Sequence, residues 1–74
     1  MKYRTFGKTG CSVSVLGFGT MRMPTADGQE MSSAPDEEAC VRLIRGAIDR
    51  GINYIDTAYL YHGGNAEHIV AKAL

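Results

Sequence analysis

The sequence predicts an α/β fold built on parallel strands. Three observations carry that prediction. Two short apolar runs, residues 15–19 (Val-Leu-Gly-Phe-Gly) and 52–56 (Ile-Asn-Tyr-Ile-Asp), read as strands. Between them, residues 36–50 carry an apolar stripe at helical spacing. A strand–helix–strand order with strongly apolar strands implies a right-handed crossover and a parallel pair buried on both faces.

The elements follow in order. Residues 2–15 read as a β-hairpin: Tyr3, Thr5, Val13 and Val15 are spaced by two, and Gly7-Lys8-Thr9-Gly10 supplies the turn. The strand 15–19 continues from it. Residues 22–35, with two prolines, Asp27, Gly28 and paired serines, form a loop and the least ordered region by composition. In the helix 36–50 the buried stripe is Ala39, Cys40, Leu43, Ile44, Ala47 and Ile48. Asp36, Glu37 and Glu38 sit at the positive end of its dipole and Arg50 at the negative end. Ser33 and Asp36 are alternative N-caps, Pro35 suits the first turn, and Gly51 fits the left-handed position just past the helix.

After the strand 52–56, residues 57–64 form a loop with two glycines. A second helix starts at Asn65 as cap, with Glu67 at its dipole and Ile69, Val70, Ala73 and Leu74 as its apolar face. The sequence stops inside this helix with no C-cap and no following glycine, and so reads as part of a longer chain. Two parallel strands with helices on one face leave the other face and both edges bare. Further segments should cover them, or the 74-residue segment should self-associate.

Composition narrows the function classes. A 74-residue chain is short for a generous core. The 8 basic and 8 acidic residues cancel, and no basic run points to nucleic acid or to an anionic membrane. No apolar stretch approaches the roughly 20 residues of a membrane span, and the N-terminus enters a structured pattern at once, unlike a signal peptide. Cys11 and Cys40 are too few for a disulfide scaffold and have no metal-ligand spacing, which suggests a reducing, cytoplasmic setting.

In parallel α/β folds, chemistry gathers at the C-terminal ends of strands. One such end is Gly19-Thr20-Met21-Arg22; the other runs from Asp56 through Tyr61 to Gly64. A carboxylate at the rim of an apolar strand needs a cation or several donors. A tyrosine can serve as general acid, but its ordinary pKa of about 10 is high for neutral pH unless an ammonium lowers it. Asp56 could anchor such an ammonium beside Tyr61. The plainer reading makes Asp56 a loop anchor and Tyr61 a packing residue. His62 reads as a solvent-facing loop residue, with substrate contact as the lesser reading, and His68 as exposed on the second helix. Met21 and Met23 read as loop packing rather than metal ligands, Cys40 as helix core and Cys11 as a hairpin residue. Arg22 reads equally as a solvated loop residue or as a contact to a cofactor phosphate or substrate.

The run Gly51-Ile-Asn-Tyr-Ile-Asp-Thr-Ala-Tyr-Leu-Tyr-His-Gly-Gly-Asn-Ala-Glu67 resembles a signature of the aldo-keto reductases: glycine, apolar strand, Asp-Thr-Ala, two residues, Tyr, then glycines and a helix opening with Glu. Tyr3-Arg-Thr-Phe-Gly-Lys-Thr-Gly, followed by Val13-Ser-Val-Leu-Gly-Phe-Gly-Thr20, is similar to that family's start. The resemblance covers essentially the whole chain, most loosely over 22–35. It implies that residues 1–74 are the N-terminal portion of a single (β/α)8 TIM barrel, in full about 250 residues, whose bottom the hairpin 2–15 closes. It implies NADPH, with NADH as the alternative, and a small-molecule aldehyde or ketone reduced to an alcohol. Tyr61 would be the proton donor. Asp56 would pair with a lysine from a later strand and lie near the nicotinamide ribose. Gly19, Thr20 and Met21 would lie along the nicotinamide end of the cofactor.

The family's catalytic lysine and histidine come from later strands, so neither Lys72 nor His62 matches them. His-Gly-Gly after the tyrosine resembles a subgroup, some members of which carry a C-terminal iron-sulfur segment. The expected function is NADPH-dependent carbonyl reduction by the full-length protein, with no turnover from residues 1–74 alone. The alternative is a reductase-like cofactor-binding or regulatory subunit with little catalysis.

Overall fold

The structure, a computed structural model, describes residues 1–30 and 32–74. The chain opens with an antiparallel pair, β1 (Tyr3–Thr5) and β2 (Ser12–Ser14), in the register Tyr3↔Ser14, Arg4↔Val13 and Thr5↔Ser12. The connecting turn uses Gly7 (φ 58°) and Gly10 (φ 79°). Thr9 holds the turn: its hydroxyl donates to the Phe6 carbonyl at 2.6 Å and accepts the Cys11 N–H at 3.1 Å. The register sets Tyr3 and Thr5 on one face with the two serines, and Val13 on the other with Arg4.

The parallel pair is shorter than the apolar runs suggest. β3 is Phe18–Gly19 and β4 is Ile55–Asp56, paired Phe18↔Ile55 and Gly19↔Asp56. Flanking bonds from Phe18 N–H to the Tyr54 carbonyl (2.8 Å) and from Thr20 N–H to the Asp56 carbonyl (3.1 Å) extend it slightly. The expected strands 15–19 and 52–56 are trimmed for a shared reason. The Ser14 hydroxyl donates to the Leu16 carbonyl at 2.7 Å and accepts the Asn53 N–H at 3.1 Å, while the Asn53 carboxamide oxygen accepts the Ser14 N–H at 2.6 Å. Side-chain bonds thus compete for backbone groups that a longer ladder would use. Val15 and Leu16, expected inside a doubly buried strand, are 57% and 58% exposed.

α1 (Glu37–Asp49) forms where the stripe and its signals predict. Of the alternative caps, Asp36 is used: its carboxylate accepts the Ala39 N–H at 3.1 Å, with Glu37 and Glu38 in the first turn. Pro35 lies ahead of the cap, bridged to Thr25, rather than in the first turn. At the far end Gly51 takes φ 102°, and the N–H groups of Gly51 and Ile52 bond to the carbonyls of Ile48 (2.9 Å) and Ala47 (3.1 Å), closing the helix as a Schellman motif.

α2 (Ala66–Ala73) packs on α1. The core consists of Met23, Cys40, Ile44, Ala66, Ile69 and Ala73, with Phe18, Val41, Ile48, Ile55, Tyr61 and Val70 against it. Ile44 is fully buried, and truncation to alanine there should cost about 2–5 kcal/mol. The two leucines of the predicted stripes stay outside the core: Leu43 is 49% and Leu74 75% exposed. Asn65 precedes α2 but makes no side-chain cap; its amide donates to the Ser33 carbonyl at 2.9 Å instead. The Arg45 guanidinium donates to the Ala73 carbonyl at 2.9 Å, and Lys72 pairs with Glu37, tying the helices at their surface.

Candidate functional site

The parallel register sets Gly19 beside Asp56 at the C-terminal end of the strand pair. Thr20, the next residue, is fully buried, and both its N–H (3.1 Å) and its hydroxyl (2.8 Å) donate to the Asp56 carbonyl. The Thr20 side chain is therefore a clamp between the two strand ends. Around Gly19 an added Cβ would meet open space, and Met21 is exposed. The Asp56 side chain is exposed and has no hydrogen bond or ion pair among the described residues. The hydroxyl of Thr57, buried next to it, also lacks a partner among them.

From Thr57 the chain turns back toward the core. Tyr61 N–H bonds to the Ala58 carbonyl at 3.2 Å, opening a 3-10 turn over Tyr61–Gly64. The Tyr61 side chain is half-buried against the core. The structure thus joins Gly19, Thr20 and Asp56 directly, leaves Met21 exposed one residue beyond Thr20, and sets Tyr61 at the start of the turn that follows Asp56. Lys72 pairs with Glu37 of α1 and makes no ion pair with Asp56. His68 is exposed, as expected. Arg22 pairs with Glu30 across the loop at 3.3 Å.

His62 overturns its sequence reading as a solvent-facing residue. It is 0% exposed. Its Nε2 accepts the Met23 N–H at 3.0 Å, and its Nδ1 lies 2.8 Å from the Ser32 carbonyl. An acceptor at one nitrogen and a donor at the other is the pattern of a neutral imidazole with its proton on Nδ1. The backbone there is left-handed, φ 52° and ψ 43°, continued by Gly63 at φ 62°. A Cβ on Gly63 would fall 2.6 Å from the Ser33 Cβ, so only glycine admits the loop this close. With Asn65 bonded to Ser33, the segment 62–65 staples the loop 22–35 to the end of β4. Sequence reasoning missed this. The available signal was a histidine directly ahead of two glycines, a backbone built for close approach.

Met23 is buried, which fits loop packing, and Cys40 is core. Burial, then the charge of Asp36, pushes the Cys40 thiol up from its usual range, and the thiol donates to the Pro24 carbonyl at 3.2 Å. Cys11 is free and exposed. Among the described residues no three His, Cys, Asp or Glu side chains gather as a metal site, and no helix is long and apolar enough to cross a membrane.

Comparison with known proteins joins this geometry to a family. The profile of the Aldo/keto reductase family matches residues 15–74. The chain is 40% identical over all of its 74 residues to aldo-keto reductase YhdN of Bacillus subtilis (strain 168), of which it covers 21%. It is 38% identical over 72 residues (97% of the chain) to aldo-keto reductase AMT2 of Alternaria alternata, covering 19% of that protein. It is 32% identical over 74 residues, its full length, to a probable voltage-gated potassium channel subunit beta of Arabidopsis thaliana, covering 20%. The chain therefore spans about a fifth of the length of these relatives. Among solved structures, the thermostable aldo-keto reductase Tm1743 in complex with the inhibitor epalrestat superimposes with a TM-score of 0.76 at 37% identity, over 99% of this chain and 26% of that one. The chain belongs to the aldo/keto reductase family.

Proposed function

We propose that the full-length protein containing these residues reduces aldehydes or ketones to alcohols with NADPH, with Tyr61 as general acid and Asp56 as the anchor of a lysine supplied by a later strand. The observation that carries this reading is the exposed, unpartnered carboxylate of Asp56, side by side with Gly19 at the C-terminal end of the parallel pair. A carboxylate in that position suits an ammonium partner. The lysines of this segment are Lys2 and Lys8 in the hairpin region and Lys72 on α2, paired with Glu37. None pairs with Asp56 among the described residues, so residues 1–74 alone should give no turnover.

Tyr61 would pass its phenolic proton to the substrate carbonyl oxygen, and the ammonium held by Asp56 would stabilise the phenolate left behind. Gly19, Met21 and Asp56 would hold the nicotinamide end of the cofactor, while Thr20, buried and bonded to Asp56, would act from behind as the clamp rather than as a contact; the open space at Gly19 fits a group lying close against the strand end. NADPH, when bound, supplies the hydride. The elements β3, α1, β4 and α2 would be the first two strand–helix units of a (β/α)8 barrel, with the hairpin closing its bottom. The superposition on an aldo-keto reductase supports that arrangement.

The test is oxidation of NADPH by the full-length protein with an aromatic aldehyde. Tyr61→Phe should lower turnover by about 10²–10⁴-fold, the range of general acid catalysis. Turnover unchanged in that variant would remove Tyr61 from the chemistry. A second reading, a cofactor-binding regulatory subunit, draws on the 32% identity to a probable channel subunit beta. NADPH binding without measurable reduction of any of a panel of aldehydes and ketones would favour it.

A further inference from the structure

We infer that His62 is a positioning residue for the cofactor: through the Met23 peptide it fixes the loop after β3 along which the nicotinamide end of NADPH would lie. The inference rests on the proposed reading for the cofactor, and on geometry of its own. Met21 and Arg22 form a short exposed span held at both ends. At one end, Thr20 is clamped to the Asp56 carbonyl by two hydrogen bonds, 3.1 and 2.8 Å. At the other, the Met23 N–H donates to His62 Nε2 at 3.0 Å while the Met23 side chain is seated in the core. Both anchors come from the segment that carries Tyr61, since Asp56 precedes it and His62 directly follows it. The strand end that bears the acid therefore also sets the span beside it.

The ring is buried and has no spare nitrogen, because Nδ1 is taken by the Ser32 carbonyl at 2.8 Å. His62 also holds a left-handed backbone, φ 52°, which strains a non-glycine residue. A substrate or cofactor contact through the ring would require breaking one of its two bonds. The ring thus acts through Met23 rather than by touching the reacting groups.

Two replacements in the full-length protein separate this role from a structural one, because they rank in opposite orders. In His62→Gln the amide oxygen reaches the position of Nε2 and keeps an acceptor for Met23. In His62→Asn a donor toward Ser32 is kept, the left-handed backbone is better tolerated, and the acceptor for Met23 is lost. If the Met23 bond governs cofactor binding, His62→Asn should raise the Kd for NADPH, read by its fluorescence, about tenfold, while His62→Gln stays within about threefold of the unsubstituted protein. The KM for the aldehyde should stay within about twofold in both. If only folding is at stake, His62→Asn should be the milder change in melting temperature and NADPH affinity should not distinguish the two; that result overturns the inference. If both variants fail to fold, hydrogen exchange in the unsubstituted protein decides. Exchange at the Met23 amide should slow when NADPH binds, and unchanged exchange would overturn the role. Failure of the unsubstituted protein to bind NADPH at all would overturn the proposed cofactor, and this inference with it.

Discussion

The two ends of the β3–β4 pair both carry polar side chains, but to opposite effect. At the N-terminal end the polar side chains are satisfied. The Tyr3 hydroxyl donates to the Gly51 carbonyl at 2.7 Å, and Asn53 exchanges bonds with Ser14 in both directions and donates to the Ser12 carbonyl at 2.9 Å. At the C-terminal end the Asp56 carboxylate is bare among the described residues and the Thr57 hydroxyl is buried without a partner. A completed polar network stabilises, and an uncompleted one leaves groups available for chemistry. On the proposed reading the contrast sets stability at one end and function at the other, and each end can be broken separately.

The largest expected effect is at the functional end. If the proposed function holds, Asp56→Asn in the full-length protein should lower carbonyl reduction about 100-fold or more, since the variant would no longer anchor the ammonium proposed to act on Tyr61. Steady-state kinetics checks this, and turnover unchanged in Asp56→Asn would undo the contrast. The converse variant, Asn53→Ala, removes two side-chain hydrogen bonds and leaves the Ser14 N–H without its acceptor, while the backbone N–H of residue 53 keeps its bond to the Ser14 hydroxyl. It should cost about 2 kcal/mol and leave KM and kcat within about twofold. A matching fall in kcat would show that the hairpin end is coupled to the site.

These two residues also show what a sequence can reveal. The place of Asp56 at the end of its strand was legible because an acidic residue closes an apolar run there, inside a motif of fixed spacing. Helix α1 was legible to within a residue or so at each end, since Asp36 and Gly51 are local stop and start chemistry. Asn53 was not legible. It lies in an apolar run and reads as strand, yet its role depends on Ser14, 39 positions away. His62 was hidden for the same reason: its partners Met23 and Ser32 lie 39 and 30 positions away. A loop histidine followed by glycines reads as polar and exposed until the loop 22–35 is folded over it. Periodicity reports the face a residue takes within its own element, and it is silent on long-range side-chain-to-backbone bonds.

A smaller effect probes the hairpin end through the backbone. A Cβ on Gly51, at φ 102°, would fall 2.8 Å from the Tyr3 hydroxyl oxygen and 2.9 Å from the Met1 Cβ. Gly51→Ala should therefore displace the hairpin from the turn after α1 and cost roughly 1–3 kcal/mol, from strain at a left-handed position together with the disturbed Tyr3 bond. Urea denaturation measures the loss. The double variant with Tyr3→Phe should be less destabilised than the sum of the two single variants, because both act on one contact. Full additivity would mean that the Tyr3 hydroxyl is not what anchors the hairpin there.

The smallest effect concerns the loop that His62 holds against the functional end. The Ser32 hydroxyl, then the Gln29 N–H, bond to the Asp27 carboxylate and lower it from its ordinary value of 3.8. A carboxyl depressed in the folded state favours the ordered turn above its unfolded value, and that contribution is lost as pH falls through the lower, folded value. The turn should consequently stay ordered at neutral pH and loosen only below the ordinary carboxylate range. The amide resonance of Gln29, followed by NMR, should titrate with a midpoint below that of Asp27 in an unstructured peptide of the same loop, and the transition should vanish in Asp27→Asn. A midpoint at or above the peptide value would mean that Ser32 and Gln29 do not hold the carboxylate in solution. The order of the 22–35 loop would then rest on the His62 staple and the Thr25–Pro35 bridge.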